Sequence, residues 1–210
     1  GTQVGSLGDF GCFSFFGNKI VTTGEGGMLV TNSYDFYEKA CLYRDHGMSN
    51  TKKYWHEVVG YNYRMTNLQA AIGCAQMERV DEILTKKYWI SQTYHKFLGK
   101  NKFIKLSIEN DWSTNVYWMF PIIFNLPKVD NSVVRDHVLK ILASSGIECR
   151  PFFYPIHSMP PYKKNYSLPI CEKLSANGIV LPSYFEITKS DISAICKIIN
   201  DEVLFMAELK

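Results

Sequence analysis

One lysine stands out by its surroundings. Lys19 lies in the run Phe13-Ser14-Phe15-Phe16-Gly17-Asn18-Lys19-Ile20-Val21-Thr22-Thr23-Gly24-Glu25-Gly26-Gly27, between an aromatic stretch and a glycine-rich turn. An ammonium among apolar side chains costs several kcal/mol, on the order of a buried charge, unless it is paired or neutralised. Burial favours the neutral amine, the form that attacks an aldehyde to make a Schiff base. Ser14 precedes Lys19 by five residues at the end of the same expected strand, and its hydroxyl could donate to a phosphate nearby. Spacing alone also fits a plainer reading, in which Lys19 is a surface residue on a turn.

A second cluster is Trp55-His56-Glu57-Val58-Val59-Gly60-Tyr61-Asn62-Tyr63-Arg64-Met65-Thr66-Asn67-Leu68-Gln69. Asn62 and Arg64 stand just ahead of a helix start, where backbone donors and the helix dipole favour an anion. The equal alternative is that both simply hold the loop against the helix. His56 and Trp55 are pocket candidates whose competing reading is aromatic packing of an ordered loop.

The elements that must position these residues follow from pattern. Residues 10–16 read as a buried strand ending in a tight turn, 20–23 as a second strand, and 28–31 as its hairpin partner across the Gly24–Gly27 turn. A helix is expected over 34–43 with Asn32 or Ser33 as its cap, then an ordered loop over 45–63. Thr66 and Gln69 form a capping-box pattern ahead of one long helix to Leu98, its first half lined with small residues. A smaller α/β unit follows. Its expected parts are a strand over 116–124, an amphipathic helix over 132–145 closed by Gly146, a strand over 147–153, a proline-rich loop, and a helix capped by Ser190.

Composition narrows the class. The 210 residues are 46% hydrophobic and 20% charged, enough to bury a core without disulfides or a metal. A net charge of +3 makes a nucleic-acid partner unexpected, and the apolar runs are too short for a membrane helix. The six cysteines are scattered without a CxxC pair, so free thiols in a reducing, cytoplasmic setting are expected, and no His/Cys spacing suggests a metal. The chain opens at Gly1 on patterned sequence without an initiator Met or a leader-like segment, which reads as a fragment or a processed product.

Taken together, the motifs resemble the DegT/DnrJ/EryC1/StrS sugar aminotransferases, pyridoxal-phosphate enzymes of the aspartate-aminotransferase-like fold (fold type I). The resemblance rests on FSFFGNK with TGEGG, on YWHEVVGYNYRMTNLQAA, on Arg150-Pro151-Phe152-Phe153-Tyr154-Pro155-Ile156-His157, and on Gly178-Ile179-Val180-Leu181-Pro182-Ser183. It is nearest to the branch that makes 4-amino-4,6-dideoxy sugars. It implies that Lys19 carries pyridoxal 5'-phosphate, that Ser14 binds the cofactor phosphate, and that Asn62 reaches the phosphate of a neighbouring subunit's cofactor with Arg64 in support. Tyr154 and His157 would fall in the segment that lines the nucleotide-sugar pocket. The implied assembly is a homodimer with shared sites, and the implied substrates are L-glutamate and a nucleotide-linked 4-keto-6-deoxyhexose. A lysine at position 19, where related dehydratases carry histidine, favours transamination over dehydration.

In that family roughly the first half of the polypeptide supplies the phosphate cup, the residue stacked on the pyridine ring and the acid facing its nitrogen. The motifs here match the second half. The expected architecture is therefore an α/β C-terminal portion: residues 1–65 ending the large cofactor domain, 66–98 a connecting helix, and 99–210 a small α/β domain. Two other readings stay open: a non-catalytic module for dimerisation or binding, and a transaminase of 3-amino sugars.

Overall fold

The computed structural model describes residues 1–209. They form two compact units, one from Gly1 to Glu82 and one beginning at Ile83.

The first unit is built on a hairpin. Strands β1 (Gly11–Ser14) and β2 (Gly27–Val30) pair antiparallel, with Gly11 opposite Val30 and Ser14 opposite Gly27. The strand expected at 20–23 is absent. The chain instead curls back on the end of β1: Lys19 N–H donates to Phe16 O (2.9 Å), Thr23 N–H to Phe15 O (2.9 Å), and Phe15 N–H to Gly26 O (2.9 Å). Thr23 N–H is thereby committed to the end of β1 itself, and residues 20–23 form a bend instead of a ladder strand. Gly24, at φ +77°, makes the reversal that a side chain would resist. The expected burial of β1 also fails, because only Gly11 is buried and all four residues of β2 are exposed. Two strands alone present two faces and two open edges, with too little sheet to bury either.

Helix α1 (Tyr34–Arg44) is capped by Ser33, whose hydroxyl accepts from Phe36 N–H. Helix α2 (Asn67–Met77) opens on the expected box: Gln69 N–H donates to Thr66 Oγ1, and Thr66 N–H donates to Gln69 Oε1. The single long helix is not observed. It breaks at Glu78 and Arg79, and α3 (Val80–Leu98) begins afresh with Asp81 and Glu82 in its first turn. Arg79 forms a two-pronged bond to Glu82, at 2.9 and 3.1 Å, that ties the break to the new turn. Apolar periodicity runs across both helices, so hydrophobic pattern alone hides the break.

The second unit is a four-stranded antiparallel sheet ordered β3 (Ile104–Leu106), β4 (Phe120–Phe124), β6 (Gly178–Leu181), β5 (Arg150–Pro151). Period-two alternation decides its faces: Phe120, Ile122 and Phe124 are buried, while Pro121 and Ile123 between them are partly covered. The buried face meets Ile90, Tyr94 and Leu98 of α3, Val134, Val138 and Leu142 of α4 (Asn131–Ser144), and Ile192, Ile195 and Ile199 of α6 (Lys189–Glu208). Gly146 closes α4 at φ +75°, as its position suggests.

The expected strands at 116–124 and 147–153 shrink to Phe120–Phe124 and Arg150–Pro151. Tyr117 sits at φ +49°, which no strand accommodates. The cap of α6 is Thr188 rather than Ser190, closed by reciprocal bonds with Asp191. Strands β3 and β6 and helix α5 (Pro169–Asn177) carried too short a pattern to be read beforehand. Among the described residues no helix is long and apolar enough to cross a membrane.

Candidate functional site

In the first unit, Ser14 and Lys19 lie at the two ends of one braced corner. Ser14 closes β1 and its Oγ accepts a long bond from Phe16 N–H (3.4 Å). Lys19 follows on the turn fixed by Phe16 O, with Thr22 Oγ1 donating to Phe15 O (3.1 Å) and Thr23 Oγ1 to Glu25 O (2.7 Å). Lys19 is half-buried rather than enclosed in apolar side chains, and Ser14 is exposed. The corner therefore holds a primary amine and a hydroxyl on a backbone with little freedom, both reachable from solvent. Thr23 is buried and Gly26 lies against it, where a Cβ would stand 2.2 Å from Thr23 Oγ1. Gln69 Nε2 donates to Glu25 O (3.1 Å), so the start of α2 braces the glycine turn from beneath.

The loop over 45–63 is ordered by backbone contacts instead of periodic structure. His46 N–H donates to Tyr61 O (2.9 Å), Tyr61 N–H to Tyr43 O (2.7 Å), and Tyr63 N–H to Arg44 O (3.0 Å). His46 is held at φ +59°. Gly60 and Gly47 cross so closely that a Cβ on Gly60 would fall 2.1 Å from Gly47 N, which excludes any side chain there. This crossing brings Asn62 and Arg64 to Asp45: Asn62 forms a bridge with Asp45, and Arg64 Nη1 stands 3.3 Å from its carboxylate. The ion pair is well exposed and contributes little stability. Its effect is directional, because it turns Arg64 toward the loop.

Trp55 and His56 belong to the far end of that loop. His56 Nδ1 is 2.8 Å from His46 O, and the Trp55 ring lies under Lys52 Nζ at 3.7 Å. Their contacts are therefore with the loop itself.

In the second unit, Tyr154 is exposed, whereas His157 is buried with its Nε2 3.0 Å from Glu172 Oε1 and its ring stacked on Tyr166 at 5.1 Å. Neither lines the groove of about 950 Å³ on the outer face of the sheet. That groove takes its walls from Trp118, Met119, Phe152, Phe153, Ile170 and Leu174, with Arg150 contributing a charge. Phe152 packs so closely on the buried Gly178 that a Cβ there would enter its ring at 2.6 Å.

Lys87 was missed in the sequence because a lysine on an amphipathic helix looks like a solvated face. Its Nζ donates to Trp118 O (3.4 Å) and to the Ser183 carbonyl, tying α3 to the segments flanking β4 and β6. Desolvation pulls this ammonium below the usual lysine range.

The architecture is that of an aminotransferase portion. It superposes on TlmJ, an aminotransferase from Streptoalloteichus hindustanus, with TM-score 0.90 at 23% identity, covering 98% of this chain and 55% of that one. The sequence goes further: over residues 1–200 it matches the DegT/DnrJ/EryC1/StrS aminotransferase family, and the chain belongs to that family. GDP-perosamine synthase from Escherichia coli O157:H7 is 41% identical over 202 residues, 96% of this chain and 54% of that protein. GDP-perosamine synthase from Caulobacter vibrioides is 43% identical over 208 residues, 97% and 55% respectively. The chain thus spans about half the length of these relatives.

Proposed function

We propose that this chain forms part of a pyridoxal-phosphate-dependent nucleotide-sugar aminotransferase of the perosamine synthase type. The enzyme would move an amino group from L-glutamate to C4 of a nucleotide-linked 4-keto-6-deoxyhexose. In this reading residues 1–65 end the large domain, 66–98 form the connecting segment as helices α2 and α3, and 99–210 are the small domain.

The observation that carries the reading is the braced corner of Ser14 and Lys19, found in a chain that is 41–43% identical to two proteins named for this activity. The donor set fits pyridoxal phosphate in kind: a primary amine for its aldehyde, a hydroxyl for its phosphate, and a glycine turn with room beside them. Pyridoxal phosphate, when bound, supplies the electron sink that makes a carbon acid of the donor's Cα.

The chain's own residues then have distinct tasks. Lys19 Nζ, as a free amine, takes the proton from the donor's Cα and later returns one to C4 of the sugar. Because the corner fixes its approach, the proton arrives on one face and sets the amine's configuration. Ser14 Oγ would hold the phosphate by donating a hydrogen bond to it, from the same corner that carries Lys19. Asn62, aimed by Asp45 and the Gly47–Gly60 crossing, completes the phosphate site of a second subunit, with Arg64 in support, which makes the working unit a homodimer. In the first unit Trp55 and His56, and separately in the second unit Tyr154, are the candidates for contact with a nucleotide sugar.

A non-catalytic binding module is the second reading. Amino transfer from L-glutamate to GDP-4-keto-6-deoxymannose, followed by mass spectrometry of the sugar nucleotide, separates the two. Lys19→Ala in the active enzyme should abolish the transfer, and activity retained in that variant would sink the proposal.

A further inference from the structure

Residues 152–168 leave the sheet after β5 and return to it at α5. The excursion is fastened at both ends by α5. Ser175 Oγ donates to Phe153 O (2.9 Å) at the outgoing end, and at the returning end Leu168 N–H donates to Glu172 Oε1 (2.8 Å). Between them, His157 is the one buried side chain of the excursion, and its Nε2 meets the same Glu172 oxygen at 3.0 Å. Ser167 Oγ adds bonds to both carboxylate oxygens, at 3.2 and 3.0 Å. A carboxylate only accepts, so Nε2 carries the hydrogen. Lys164 N–H donates back to His157 O (3.2 Å), and Tyr166 covers the ring.

Glu172 therefore gathers three donors from the excursion onto one helix residue. Phe152 and Phe153 at one end and Leu168 and Ile170 at the other all line the groove, so the excursion cannot shift without moving both walls. We propose that His157 and Glu172 are a latch that holds this wall in place, making His157 a positioning residue for sugar-nucleotide binding that acts through Glu172. This assignment rests on the function proposed above, in which the segment around Tyr154 faces the nucleotide sugar.

The test has two independent arms. In the active enzyme, His157→Ala and Glu172→Ala should each raise KM for the sugar nucleotide about tenfold, the worth of a charge-assisted bond. The kcat and the KM for L-glutamate should stay within about twofold, because neither residue reaches the reacting atoms. His157→Gln, which keeps an N–H donor of similar reach, should restore most of the loss. The double variant should be no worse than Glu172→Ala alone, since that change already removes the His157 bond together with those from Ser167 and Leu168. A kcat that falls with KM unchanged, or losses that add, would overturn the latch.

Hydrogen exchange of residues 152–168 in the 210-residue chain needs no turnover. Exchange there should rise about tenfold in both alanine variants and leave α4 and α6 unmoved. Unchanged exchange would refute the latch outright. Faster exchange in a protein that aminates no sugar nucleotide would keep the latch and reject the function.

Discussion

Tyr94 gives the sharpest test of how the second unit is held together. Its side chain is fully buried, its ring stacks on Phe120 at 4.7 Å, and its hydroxyl donates to Pro182 O at 2.8 Å. Tyr94→Phe keeps the ring and the stack but removes the hydroxyl, leaving Pro182 O without that donor. A buried acceptor stripped of its partner costs about 1–3 kcal/mol, whereas Tyr94→Ala would lose the ring and open a cavity at about 3–5 kcal/mol. At roughly 4 °C per kcal/mol for a unit of this size, Tyr94→Phe should lower Tm by about 4–12 °C. Urea unfolding followed by circular dichroism should show a lower midpoint with the slope unchanged.

The same residue leaves a mark on pH dependence. Burial raises the Tyr94 hydroxyl's pKa above the usual tyrosine range, so the folded state holds this proton more tightly than the unfolded chain. Its contribution is whole below about pH 10 and erodes as pH rises beyond that, a loss that Tyr94→Phe should lack. A Tyr94→Phe protein as stable as the parent, or as weak as Tyr94→Ala, would refute the reasoning.

Other expectations follow the same logic. Burial pushes the Cys149 and Cys196 thiols up to about 12, so their contribution is intact below their ordinary range and fades toward pH 12; replacing each by Ala should flatten the alkaline limb of an unfolding titration. At the acid end, hydrogen bonds hold four carboxylates below their usual range: Glu82 through Arg79, Asp130 through Ser132, Asp191 through Thr188, and Glu172 chiefly through Leu168. Their contribution is present above about pH 4.5 and is lost as pH falls further, so Asp191→Asn should reduce the acid-side slope in the same titration. Thr66→Ala removes the α2 cap and should cost about 1 kcal/mol, read as a lower urea midpoint for the first unit.

How far the sequence carried depended on how local the determinant was. Capping is local chemistry, so the Thr66–Gln69 box and the end of α4 at Gly146 could be read directly. The Glu78–Arg79 break could not, because apolar spacing continues across it and the Arg79–Glu82 fork becomes visible only in three dimensions. Residues 20–23 look like a strand by composition, yet Thr22 Oγ1 and Thr23 N–H both donate to Phe15 O. Residue type and motif single out Lys19 and Ser14 as candidates, and the structure sets both on one braced corner. The tie of Asn62 and Arg64 to Asp45 depends on a bridge across seventeen residues that no local pattern encodes. His157 was visible as a candidate, but its engagement by Glu172 depends on where α5 begins, and α5 itself carried no readable pattern.

The central claim is that Lys19 carries the cofactor. The direct measurement is to incubate the protein with pyridoxal phosphate, reduce with borohydride, and map the modified peptide by mass spectrometry. Modification concentrated at Lys19, lost in Lys19→Arg because a guanidinium stays protonated, is the predicted result. A reduced adduct on another lysine, or one spread evenly over the surface lysines with Lys19 unmodified, would contradict the account.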